Sequence, residues 1–197
     1  MSICLFQGTF NPIHNAHIRI AEYVLSNNFA ESILFIPAYN PPHKDLSSDV
    51  TPYDRYNMVN LTIENNDKFM ISDIEYKRGG KSYTYLTIKE LQKIFDTKEK
   101  FKFIIGTDAF VKIESWYEAE KLKNEIDFLL FKRDKNIPTD KLNILKSKGY
   151  NYKLMDLEFK DISSTDIRDR ILLGKQISNL VPEKVEEYIV KNDLYKY

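Results

Sequence analysis

Two histidines three residues apart, His14 and His17, follow an apolar run and a glycine in the stretch Leu5-Phe6-Gln7-Gly8-Thr9-Phe10-Asn11-Pro12-Ile13-His14. Residues 3–6 are apolar enough for a buried strand. From Ile18 onward Ile18, Ala21, Val24 and Leu25 recur at helical spacing, so the histidines fall where a strand gives way to a helix. Gly8 lets backbone approach a ligand closely, and a helix starting near His14 or Asn15 offers unpaired N–H groups at the positive end of its dipole. His14 and His17 share one face of the first turn, and both can donate to phosphate oxygens. The competing reading is a metal site. Zinc would need further ligands, and the sequence offers only Cys4, inside the expected strand, and His43. A metalloprotease helix requires a Glu after the first His and a four-residue spacing, and both are lacking.

Five later segments carry residues of the same kind. Pro41-Pro42-His43-Lys44 stiffens a loop ahead of two cationic donors, which lowers the entropy lost on engaging an anion. Arg78-Gly79-Gly80-Lys81-Ser82 invites a P-loop reading, but Glu75 stands where the first glycine must be. Ser82 or Thr84 is instead expected to cap the helix carrying Leu86, Ile88, Leu91 and Ile94. Gly106-Thr107-Asp108 closes the apolar run 101–105, at the strand end where open parallel sheets bind ligands. Asp108 is there a ribose acceptor, a holder of metal-bound water, or only a helix cap. Trp116, the single tryptophan, is a packing residue or a flat face for a ligand ring. Ser163-Ser164-Thr165 opens a helix with donors for an anion, and Arg168 lies one turn on from Ser164.

The elements needed to position these residues alternate along the sequence. Strands are expected at 3–6, 32–37, 69–74, 101–105, 126–131 and 152–155. Helices are expected at 53–64, after 84, over 140–148, after 164, and from Pro182 at the first helical position. Such alternation implies a parallel sheet covered by helices on both faces, with the first strand central and the ligand at its carboxyl end. The 197 residues suit one domain, 1–197, in which 168–197 is a small C-terminal helical part. Lys plus Arg (29) cancels Asp plus Glu (29), so no global field draws nucleic acid, and phosphate chemistry must be local. One cysteine permits no internal disulfide and no apolar run reaches membrane-spanning length, which together point to a cytoplasmic protein.

The run from Gly8 to His14 with His17 resembles the first motif of the nucleotidyltransferase superfamily, and Ile162 to Arg168 its carboxyl-terminal motif. Pro41 to Lys44, Ser82 to Thr84, Trp116-Tyr117 and Arg133 narrow the resemblance to nicotinate-nucleotide adenylyltransferases. The sequence departs from that pattern at Gln7 and Ala16, where the family has glycine. The resemblance implies a Rossmann-like α/β fold and transfer of the adenylyl group of ATP to nicotinate mononucleotide, with Mg2+ entering alongside ATP. It implies that His14, His17, Lys44 and Arg168 act on phosphates. Gly8, Thr9, Phe10, Gly106, Asp108, Ser163, Ser164 and Thr165 would join His14, His17 and Arg168 in holding ATP. Lys44, Thr84, Trp116, Tyr117 and Arg133 would meet the mononucleotide, with no resident metal. Two alternatives stay open: an adenylyltransferase for nicotinamide mononucleotide or phosphopantetheine, and a catalytically silent nucleotide sensor. A homo-oligomer is compatible with all three.

Overall fold

The computed structural model describes residues 2–42, 46, 49–132, 138–157 and 162–196. Six strands form one parallel sheet: β1 (Ile3–Gly8), β2 (Ser32–Pro37), β3 (Phe69–Ile71), β4 (Phe101–Gly106), β5 (Ile126–Phe131) and β6 (Tyr152–Leu154). Their order is β3-β2-β1-β4-β5-β6, so the chain winds outward from β1 in one direction and resumes at β4 in the other. The helices are α1 (Asn15–Ser26), α2 (Pro52–Ile63), α3 (Ile74–Arg78), α4 (Thr84–Ile94), α5 (Thr107–Phe110), α6 (Ala119–Leu122), α7 (Thr139–Ser147), α8 (Ser164–Leu172) and α9 (Glu183–Lys191).

The period-2 alternation of the strands builds two cores. Cys4, Phe6, Ile33, Phe35, Ile104, Leu129 and Phe131 face one side, where α1, α2, α8 and α9 contribute Val24, Met58, Val59, Ile167, Val185 and Ile189. Leu5, Leu34, Ile36, Phe103, Ile105, Phe128 and Leu130 face the other, against Ile74, Ile88, Leu91, Phe110, Leu122, Leu142 and Leu145 of α3 to α7. Burial on both faces is why these strands read as continuous apolar blocks. Among the described residues no helix is long and apolar enough to cross a membrane.

Three expectations about elements need correction. The strand expected over 69–74 stops at Ile71: the Ser72 amide makes the last ladder bond to Phe35 O at 2.9 Å, and its hydroxyl accepts from the Ile74 amide at 3.3 Å, launching α3. Neither Ser82 nor Thr84 caps α4. Tyr83 holds the cap position without a side-chain bond, while Ser82 is drawn away to Asn40, its hydroxyl accepting from the Asn40 amide at 2.9 Å and its amide donating to Asn40 O at 2.9 Å. Pro182 sits one place earlier than expected, at the cap, and Glu183 is the first helical residue of α9.

Candidate active site

The strand order reverses between β1 and β4, and their carboxyl ends open into a cavity of about 940 Å³. Every described residue singled out in the sequence lines it: Gly8, Thr9, Phe10, His14, His17, Thr84, Gly106, Asp108, Trp116, Tyr117, Ser163, Ser164, Thr165 and Arg168. Lys44 and Arg133 lie outside the described residues. Among the described lining residues Asp108 is the sole acid, against Lys112, Arg168 and the two histidines. A chain with no net charge therefore concentrates basic donors in this cavity.

At the exit of β1 the backbone is shaped by aromatic packing. A Cβ at Gly8 would stand 2.9 Å from Phe10 Cζ, so the glycine makes room for this ring. Phe10, with φ 48°, turns its ring edge-on to His17 at 5.1 Å and to Phe6 at 5.5 Å. His14 and His17 are buried (3% and 8% exposed) with rings stacked at 3.6 Å, so their turn is a cavity wall and not an exposed surface. The His14 amide donates to His17 Nδ1 at 3.2 Å, which places the ring proton of neutral His17 on Nε2.

The amides at the start of α1 are largely spoken for, contrary to the expectation of unpaired donors there. The Asn15 amide bonds Leu180 O at 2.9 Å and the His17 amide bonds His14 O at 2.9 Å, while His14 uses its own on His17. The segment before α9 crosses this helix end, where Asn179 O also accepts from Asn15 Nδ2 at 3.2 Å.

The two end motifs are bolted together. Ser164 Oγ donates to Pro12 O at 2.9 Å, and Arg168 Nη1 donates to Asn11 O at 2.9 Å while Nη2 reaches Thr165 Oγ1 at 3.3 Å. Ser163 caps α8 by accepting from the Asp166 amide at 3.0 Å. Across the cavity Trp116 is half-buried against the second core, and Tyr117, 46% exposed, stacks on Tyr83 at 4.6 Å. Tyr83 belongs to this aromatic wall; the sequence placed it inside the Ser82 to Thr84 segment without giving its ring a role.

Three buried polar residues that support the walls were also missed. Arg55 of α2, fully buried, donates from Nη1 to Thr9 O (2.8 Å) and Ala38 O (2.5 Å) and from Nη2 to Tyr39 O (2.9 Å). Burial pulls the pKa of this guanidinium down, against the opposing influence of Tyr76, Tyr195, Glu75 and Asp54. Glu75 of α3, also buried, accepts from Gln7 Nε2 (2.5 Å), Thr87 Oγ1 (2.6 Å) and the Tyr39 amide (3.2 Å), with Arg78 Nη2 at 3.7 Å. Gln7, one departure from the family pattern, thus spends its amide on Glu75. Ala16, the other, is packed inside α1 at 4% exposure. The third is Tyr195, whose hydroxyl donates to Asn11 Oδ1 at 2.8 Å. The helical period alone hints at Arg55, a charge between Tyr56 and the apolar stripe of α2. Nothing local marks the other two.

Comparisons with known proteins bear on the whole chain. Residues 5–170 match the cytidylyltransferase-like family model. A probable nicotinate-nucleotide adenylyltransferase of Clostridium botulinum is 41% identical over 194 residues, 96% of each chain. One of Geotalea uraniireducens is 38% identical over 213 residues, covering 99% of this chain and 98% of its own. A solved structure described as Plasmodium falciparum nicotinic acid mononucleotide adenylyltransferase complexed with NaAD superposes with a TM-score of 0.81 at 25% identity, covering 100% of this chain and 98% of that one.

Proposed function

The chain belongs to the nicotinate-nucleotide adenylyltransferases of the cytidylyltransferase-like family, and from that premise we propose that it transfers the adenylyl group of ATP to nicotinate mononucleotide, a step of NAD biosynthesis. A phosphate oxygen of the mononucleotide attacks the α-phosphorus of ATP, the bond from that phosphorus to the bridging oxygen breaks, and pyrophosphate leaves as the dinucleotide forms. The single observation carrying this reading is that five separated segments, ending with the Ser163–Arg168 stretch, wall one basic cavity at the switch point of the sheet.

The nucleophile is an anionic phosphate oxygen, so no general base is required and catalysis rests on alignment and charge stabilisation. We assign His14 and His17 to the triphosphate and to the charge that develops on it, His17 donating through Nε2. Gly8, Thr9 and Phe10 with Ser163, Ser164 and Thr165 hold ATP between the two end motifs, and Gly106 and Asp108 receive its nucleoside side. Arg168 braces Asn11 and, with Lys44, clamps phosphate. Thr84, Trp116, Tyr117 and Arg133 take the mononucleotide, Trp116 by stacking on the pyridine ring. Mg2+ would enter with ATP, carried on its phosphate oxygens, and Asp108, the one carboxylate among the described lining residues, is the side chain that would help hold it. When bound it neutralises the leaving pyrophosphate. The lone cysteine, buried Cys4, suits the cytoplasmic location we propose.

The test is product formation: with ATP and nicotinate mononucleotide the purified protein should form the acid dinucleotide and pyrophosphate in equal amounts. Nucleotide binding without pyrophosphate release would replace the enzyme by a sensor.

A further inference from the structure

The segment after α9 reaches back into the active-site turn. Asp193 and Tyr195 both adopt left-handed backbone, with φ of 52° and 63°, conformations an L-residue takes only when its surroundings hold it there. Leu194, 4% exposed, anchors the reversal, and its amide closes on Ile189 O at 3.1 Å. The result is that Tyr195, 2% exposed, delivers its hydroxyl to Asn11 Oδ1 at 2.8 Å across 184 residues of sequence. Burial holds this hydroxyl well above the ordinary tyrosine range in spite of nearby Arg55 and Arg168, so it stays an O–H donor.

Asn11 is itself buried (6% exposed) and is part of the cavity wall. Its main-chain oxygen is held by Arg168 and the next carbonyl, Pro12 O, by Ser164. Those two bonds fix the backbone of the turn, and neither fixes the Asn11 side chain. With the hydroxyl donating to Oδ1, the carboxamide is tethered and its NH2 group is directed away from Tyr195.

We infer that Tyr195 is a positioning residue for adenylyl transfer, acting through Asn11 to hold the turn that leads into His14 and His17. This rests on the function proposed above. The bond contributes to alignment at the moment of transfer more than to substrate affinity, since Tyr195 does not line the cavity.

The test is a double-mutant cycle of Tyr195→Phe and Asn11→Ala, with steady-state kinetics and thermal melts on all four proteins. Tyr195→Phe keeps the buried ring and removes one oxygen. It should lower kcat about tenfold, the size of one hydrogen bond lost from the alignment of the turn, and change KM for either substrate less than about twofold. In the Asn11→Ala background the same substitution should change kcat less than about twofold. Asn11→Ser, whose hydroxyl is too short to reach Tyr195, takes the place of Asn11→Ala if that variant does not fold. A Tyr195→Phe protein with wild-type kcat, or an equal loss in both backgrounds, would overturn the inference. Wild-type turnover is the reference: without it the proposed function falls and this role with it, whereas an active wild type with an equally active Tyr195→Phe variant overturns the role of Tyr195 alone.

Discussion

Arg55→Met is the sharpest probe of how the cavity is held open. The guanidinium is fully buried and supplies donors to three carbonyls, Thr9 O, Ala38 O and Tyr39 O, which belong to the two loops leaving the adjacent strands β1 and β2. A methionine of similar length fills the space and supplies none. The Ala38 bond is buried and the other two are part-buried; a buried carbonyl left without a donor costs about 1–3 kcal/mol, the part-buried ones less, and the relieved burial of a charge returns part of the sum. Hydrogen bonds from the Ala38 amide to Gly8 O and from the Tyr39 amide to Glu75 persist and limit the collapse. The net expectation is a loss of about 3–5 kcal/mol, the range for breaking a buried charged network. For a chain of this size that lowers the melting midpoint by about 6–20 °C. Arg55→Lys should fall between, because an ammonium cannot span three carbonyls set by a planar fork. Urea and thermal unfolding measure both. An Arg55→Met protein within about 1 kcal/mol of wild type would show that water or relaxation satisfies those carbonyls, and the bracing role would be refuted.

Further outcomes follow from other residues. His17→Asn keeps an acceptor near the Nδ1 position for the His14 amide but loses the Nε2 donor, so turnover should fall on the order of a hundredfold with the fold intact, and near-normal turnover would remove His17 from the chemistry. Burial pushes the Asp54 carboxyl up, but hydrogen bonds from Thr51 and Tyr188, with Arg55 nearby, outweigh it and hold its pKa below the usual range. Its stabilisation is therefore present above the unfolded value of about 3.9 and lost as pH falls through the folded one. Asp54→Asn should melt lower than wild type at pH 7, with the gap closing below about pH 4, and a gap that does not change with pH would contradict the bonding described. Activity should vanish with a chelator and return with magnesium, while the purified protein carries no stoichiometric zinc. One tightly bound zinc per chain would revive a metal-site reading of the histidines.

Much of the scaffold was legible because its signals are local. The block at 32–37 is apolar and stopped by proline, and β2 has those same bounds. Ser163 and the two hydroxyl residues after it announce α8, and the cap bond is present. The glycine and the paired histidines could be assigned to one site because their backbone positions, at a strand end and a helix start, follow from the alternation of elements, whereas Trp116 was assigned there only through the family resemblance. Legibility fails where a residue's partner is distant. Glu75 looks like an ordinary surface acid in a polar stretch until Gln7, 68 residues earlier, supplies its donor, and Tyr195 meets Asn11 only through the closed fold. Ser82 was misread for a related reason: a serine ahead of an apolar helix satisfies the capping pattern, but the Asn40 loop competes for the same hydroxyl and wins. The partner of the Asn15 amide at the start of α1 is Leu180 O, which no local pattern brings there.

The central claim, adenylyl transfer to the acid nucleotide, is tested most directly by the ratio of kcat/KM for nicotinate mononucleotide to that for nicotinamide mononucleotide, with ATP saturating. Amides near Thr84 and Tyr117 would receive a carboxylate with charge-assisted bonds, whereas a carboxamide turns an NH2 group toward donors and leaves them unpaired, at about 1–3 kcal/mol each. A preference for the acid of at least about tenfold is expected. Equal use of the two nucleotides would contradict it.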